Sequence, residues 1–373
     1  MTTSMGFKMY LSFGMLISGT LNTLMTKMQN STCVENCLDP DTKNHKFYSQ
    51  PVLQTLNMFL GEMLCLIVYF AIKMYYHFTS DTNKADYEQI FDTPCLPEIP
   101  STSNFNSGKP GLLLPRLTDE QIEQQIRDLK AEKPELSGMS NLLMSIPAIC
   151  DIIASTVISP YFFSGLILVG FLFTTASVYQ MLKGIVVIFV SLFSVKFLGH
   201  TLTRDQWISL AMIIIGTSIV GASSIVYSIR DIETSNIAHI VNTVLGNKAN
   251  RSENIFGIVM IVLGQVFGAV MFISEEKIMQ HYSYNPLKGV GLEGTFGALT
   301  VGILIPILHY TVGVNNKGGY FDASTGFSQI INNQSILNLC IYIMFSISMT
   351  NYFGLSITKA VSAASRSTID SCR

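Results

Sequence analysis

Charge is scarce in this 373-residue chain: Asp, Glu, Lys and Arg together make up 13% of it, against roughly 25% in an ordinary soluble domain. That shortage excludes a conventional water-soluble globule. A formal net charge of -2 leaves no basic surplus, so nucleic acid is not among the expected partners. The six histidines are not paired at ligand spacing, and neither a zinc pattern nor HExxH occurs. No cofactor and no metal are therefore expected. Ser107-Gly108-Lys109 lacks the upstream glycine of a phosphate-binding loop. No nucleophile, base and orienting group stand at recognisable spacing, so the chain is not read as an enzyme.

What is abundant is apolar sequence. Hydrophobic residues reach 49% and the mean hydropathy is +0.40. The apolar runs last about 20 residues without period-two alternation, which predicts spanning helices rather than a barrel. The fold class is thus an all-α polytopic membrane protein. Residues 8–28 form a first span, without the strongly basic start and small-residue cleavage site of a removable signal. Pro51 opens a second span, 51–77, with Glu62 inside it. A polar stretch, 79–140, reads as a cytosolic loop. Within it, Thr118 with Gln121, then Asp119, Glu120 and finally Pro134, mark a short solvated helix.

Residues 142–177 are long for one crossing and short for two. Spans at 183–199, 206–228, 254–274, 289–311 and 335–357 follow. One crossing puts the three glycosylation sequons, at Asn30, Asn250 and Asn333, on one side of the membrane and the Lys- and Arg-rich connections on the other. That arrangement is preferred, with a cytosolic N-terminus. Cys33 and Cys37 share a polar loop and either form a disulfide there or remain two free thiols.

Residues 14–27 align without gaps on 264–277, with Ser18 opposite Gly268. Each copy is followed by a proline and a span containing glutamate: Pro51 with Glu62, Pro286 with Glu293. Five spans separate the copies, and an odd number inverts the second. Inverted repeats are typical of secondary transporters, whose substrate lies near the midplane. The expected units are 1–228 and 254–373.

The segments PAICDIIAS (147–155), SVYQMLKGIVVIFVSLFSVKFLGHTLTRDQW (177–207), GLEGTFG (291–297) and NYFGLSITKAVSAASRSTIDS (351–371) resemble the drug/metabolite transporter superfamily. Within it the likeness is to the solute carrier 35 family, subfamily F, which is related to nucleotide-sugar transporters, and to the chloroquine-resistance-transporter-like proteins. The resemblance implies two inverted five-helix repeats around a central cavity, in an endomembrane: lysosomal, Golgi or mitochondrial. On that plan two further helices are expected after Arg373, leaving the second repeat incomplete.

Ionisable and polar groups inside apolar runs mark solute paths. Asp151, Gln180, Lys183, Asn22 and Gln265 are accordingly the expected substrate-binding residues, and Glu62 and Glu293 the proton-coupling pair. Gln180 and Lys183 are three apart and share a helix face. Each also has a structural reading: Asp151 packing against a hydroxyl, Lys183 snorkelling, Asn22 and Gln265 bonding between helices. Glu275, Glu276 and Lys277 read as a solvated helix end. The functional expectation is a secondary transporter of a small polar or anionic organic solute, working by alternating access with proton coupling. The alternative is a non-transporting membrane scaffold or a truncated regulatory form. Expected partners are the solute and membrane lipids, with a homo-oligomer as a further option.

Overall fold

Long apolar runs bounded by capping residues become helices. In the computed structural model, which describes residues 5–37, 45–78, 133–158, 184–234, 251–314, 318–319 and 321–372, these are α1 (Met5–Asn30), α2 (Pro51–Phe78), α3 (Ser145–Ile158) and α4 (Val186–Phe193). There follow α5 (Arg204–Thr234), α6 (Arg251–His281), α7 (Pro286–Leu308), α8 (Ala323–Asn332), α9 (Gln334–Ala360) and α10 (Ala363–Ser371). The starts are chemically defined. Thr203 and Gln206 exchange side-chain bonds to each other's backbone N–H before α5, a capping box. The Asn285 side chain accepts from Leu287 N ahead of Pro286, and Asn333 accepts from Ser335 and Ile336. Gly199, at φ 72°, stops the π-helical turn Ser194–Leu198 that prolongs α4.

The segment expected at 142–177 is helical over Ser145–Ile158, behind a 3-10 turn, Gly138–Met144. Residues 159–183 and the helix expected near 118–133 lie outside the described residues. Among the described residues, three helices, Pro51–Tyr75, Pro286–Thr311 and Gln334–Ala360, are long and apolar enough to cross a membrane. Their outer faces, with those of α1 and α5, carry exposed Phe13, Ile67, Ile215, Ile303 and Phe345. Helix-borne hydroxyls such as Ser18, Thr55 and Thr295 bond the carbonyl four residues back, which satisfies them without water.

Long-range contacts order the helices. α1 runs antiparallel to α9: Leu11 and Met15 meet Ile357, Ser346 Oγ donates to Ser18 O at 2.7 Å, and Gln29 Nε2 lies 3.0 Å from Cys340 Sγ. α2 crosses α7, α3 and α4 pack on α6, and α10 lies against α4, α9 and α1. At one end, β1 (Cys33–Glu35) pairs antiparallel with β2 (Lys46–Phe47), Cys33 and Cys37 form a disulfide, and Lys46 bonds Glu35 at 2.7 Å. Asn30 and Asn333 lie at this hairpin end. Gln54 donates to Asn30, while Tyr48 packs with Ile336. At the far end Ser283 N donates to Pro134 O, Leu136 N to Ser283 O, and Lys359 to Tyr284 O.

The tightest seam is α2 against α7. A Cβ placed on Gly294 would sit 2.5 Å from Glu62 Cβ and 2.6 Å from Met63 N, and one on Gly291 would sit 2.5 Å from Leu66 N. Only bare backbone allows this approach, which sets Glu62 and Glu293 across one interface. We predict that Gly294→Val lowers stability in detergent by about 1–3 kcal/mol, the usual range for overpacking. Gly216→Ala, on open surface, should leave the melting temperature unchanged.

Candidate functional site

Buried carboxylates converge where α2, α6 and α7 meet. Glu62 on α2, Glu275 on α6 and Glu293 on α7 are 2%, 1% and 4% exposed. Asn351 Nδ2, from α9, donates to Glu62 Oε1 at 2.6 Å. Arg366, from α10, pairs through Nη1 with Glu275 Oε2, and its guanidinium lies 4.6 Å from the Phe272 ring centroid. Gly354 leaves room for it: a Cβ there would come within 2.6 Å of Arg366 Nε. The Glu293 and Glu275 carboxyls are close enough to act on each other electrostatically, and repel when both are ionised. Asp151, on α3 and half-buried, acts electrostatically on both Glu62 and Glu293. Glu62 Oε2 and Glu293 Oε1 are buried without a partner.

The solvated reading of Glu275 and Glu276 is overturned, because both are buried and only Lys277 faces outward. Glu276 accepts from Ala363 N at 2.9 Å and stands 3.6 Å from His200 Nε2. A run of three charges at a helix end looks solvated in one dimension. Here α10 folds back onto it. Arg366 escapes a one-dimensional reading for the same reason, its available signal being an arginine inside the SITKAVSAASRSTIDS tail, and Asn351 because an uncharged amide in an apolar helix is commonplace.

Gln265 is buried with Nε2 unpartnered, but it precedes Glu275 by ten residues, about 15 Å along the helix. Asn22 lies on α1 between Ser18 and Gln29, level with the part of α9 that runs from Ser346 to Cys340, hence toward the hairpin end from Asn351. Gln180, Lys183 and Asn250 lie outside the described residues.

A cavity of about 530 Å³ sits apart from the carboxylates, at the hairpin end, between Glu35 and the α8 residues Ser324, Thr325 and Ser328. Beside it Asp322 caps α8. Burial opposes its ionisation, yet hydrogen bonds from Thr325, Gly318 and Ser324 hold its carboxyl well below the usual carboxylate range.

Two comparisons with known proteins bear on this geometry. The chain is 28% identical to human solute carrier family 35 member F6 over 371 residues, covering 98% of this chain and 79% of that one. It is 29% identical to an uncharacterized protein of Schizosaccharomyces pombe, covering 98% and 86%. The chain is thus similar to solute carrier family 35 member F6 along nearly its whole length. The mouse protein of that name matches at 26% over 371 residues. No family model matches, and no solved structure does. The mostly helical structure and its apolar helices are those of a polytopic membrane protein, and the relatives it resembles are named as solute carriers.

Two outcomes follow from the site and its surroundings. Arg366→Met should destabilise the fold by about 3–5 kcal/mol by stranding Glu275, and adding Glu275→Met should recover most of that loss; thermal melts of the two variants in detergent decide it. Asp322, whose folded pKa is depressed, contributes stability that is present above the unfolded value of about 3.9 and lost as pH falls below it. Asp322→Asn should therefore melt lower than the parent from pH 5 to pH 7, the gap closing only below about pH 4.

Proposed function

We propose that this chain is a secondary carrier of a small polar organic solute across an internal membrane, with the Glu62, Glu275, Glu293 and Arg366 cluster as its central, proton-accepting site. The observation that carries this reading is the burial of unpartnered carboxylate oxygens where helices from both halves meet, since such groups at membrane depth mark solute and proton paths.

Helix pairing supports two inverted units. If α1, α2, α3 and α4 correspond to α6, α7, α9 and α10, the packing of α1 on α9 becomes that of α6 on α3. The packing of α2 on α9 becomes that of α7 on α3, and that of α4 on α6 becomes that of α10 on α1; all these pairs occur. The pairs α2–α7 and α4–α10 map onto themselves and also occur. Such a scheme provides two halves that rock about a shared site. Asn30 and Asn333 share the hairpin end with the disulfide, while Lys196, Lys288 and Lys359 follow chain directions to the far end. We read the hairpin end as lumenal and the far end as cytosolic.

The test reconstitutes the full chain into vesicles loaded with a mixed extract of small polar metabolites and follows exchange by mass spectrometry. At least one solute should exchange faster than across empty vesicles, and Glu293→Gln should slow it at least about tenfold without changing the melting temperature. A thiol probe at Asn351→Cys should label from either face. Absence of any exchange, together with a cysteine that neither face labels, would remove the carrier reading.

A further inference from the structure

Three membrane-length helices end together at the far end of the bundle, and each brings a lysine there. Lys73 lies two residues before the close of the Pro51–Tyr75 span, Lys288 is the third residue of Pro286–Thr311, and Lys359 is the last but one of Gln334–Ala360. All of them therefore stand at the depth of lipid headgroups. The 134–137 segment closes the junction: Ser283 N donates to Pro134 O, Leu136 N donates to Ser283 O, and Glu135 is bridged to Ser283. Lys288 Nζ donates to Leu136 O, and Lys359 Nζ to Tyr284 O.

Lysines at helix ends ordinarily snorkel outward, each apart from the others. Lys288 does not. It is half-buried and held inward by the Leu136 carbonyl, where Lys73 of α2 repels it and Glu135 attracts it. A carbonyl takes one of an ammonium's N–H groups and none of its charge. Lys133 adds a further cation at the start of the 134–137 segment. Like charges drawn together from different helices cost free energy, and an anion between them removes that cost. The surface beside them is apolar. Met74 and Phe78 on α2, and Met139 and Leu142 in the 3-10 turn Gly138–Met144, are exposed, and Leu143 and Met144 pack that turn against the ends of α2 and α7.

We propose that this junction is a binding site for an anionic phospholipid, its headgroup phosphate bridging Lys73 and Lys288 and its acyl chains lying along the apolar side chains of α2 and the 3-10 turn. The phosphate oxygens accept from ammonium N–H groups that the Leu136 carbonyl leaves over. A free phosphate would meet the same lysines, but it has nothing to lay over Met74, Phe78, Met139 and Leu142, whereas acyl chains do. The lipid joins α2, α7 and the 134–137 segment, and so favours the folded bundle as any ligand of the folded state does. This inference is independent of the carrier reading.

The experiment titrates the full chain, purified in detergent and stripped of lipid, with phosphatidylcholine, phosphatidylserine and phosphatidic acid, and in a separate arm with sodium phosphate. Melting temperature and, by native mass spectrometry, bound lipid are followed. An anionic lipid should bind and raise the melting temperature where phosphatidylcholine does not. Lys73→Gln, at an exposed side chain, should weaken that lipid about fivefold, the usual worth of one lysine at an anionic surface, while Lys73→Arg should keep it. Lys288→Gln should weaken it likewise; if that variant does not fold, the Lys73 pair still decides. Lys196→Gln, which removes an exposed charge from α4's π-helical turn, should leave binding unchanged. Equal stabilisation by phosphatidylcholine overturns the assignment. Equal losses for Lys73→Gln and Lys196→Gln overturn it in favour of a diffuse attraction to the whole surface. Stabilisation by sodium phosphate to the same extent overturns the lipid and leaves an ion site.

Discussion

A carboxylate in an apolar bundle must find a donor, a cation or a proton, and the middle of this molecule is arranged around that demand. Arg366 answers Glu275 and Asn351 answers half of Glu62. These two contacts tie α10 to α6 and α9 to α2. Because a broken buried pair is far worse than none, the short α10 is held by its electrostatics as much as by its packing. Ala363 N adds to this by donating to Glu276 at the start of that helix.

The close α2–α7 seam is the second constraint, and it depends on what is missing. Glycines at 291, 294 and 297 let the two backbones approach until Glu62 lies against Gly294. In lipid, small residues are the usual route to intimate helix contact. The seam runs beside the carboxylates, so the approach of the two backbones sets the spacing of Glu62 and Glu293. Ser348 on α9, bonded to Gly61 O, adds a third helix to the same contact.

The hairpin end is built differently. Its disulfide, its short strand pair and the Asp322 cap are polar and local, and its cavity is lined by hydroxyl and amide groups. Hydrogen bonds from Thr325, Gly318 and Ser324 favour the ionised Asp322 and hold its carboxyl well below the usual carboxylate range.

Much of the fold was legible in one dimension because lipid-compatible helices announce themselves by length, and capping residues such as Asn285, Asn333 and Thr203 by identity. Glu62 and Glu293 stood out for the simple reason that an ionisable group in an apolar run has few explanations. Glu275, Glu276 and Arg366 did not, since charge at a helix end is normally solvated and nothing local distinguishes these from Lys277. Their burial follows from α10 folding back onto α6, a contact between residues 91 positions apart. The sequence by itself determined which segments leave water and which carboxylates have to be accounted for, because transfer free energy is a property of each residue. Only the tertiary structure decided which of them meet, because a carboxylate's partner is chosen by distance in space.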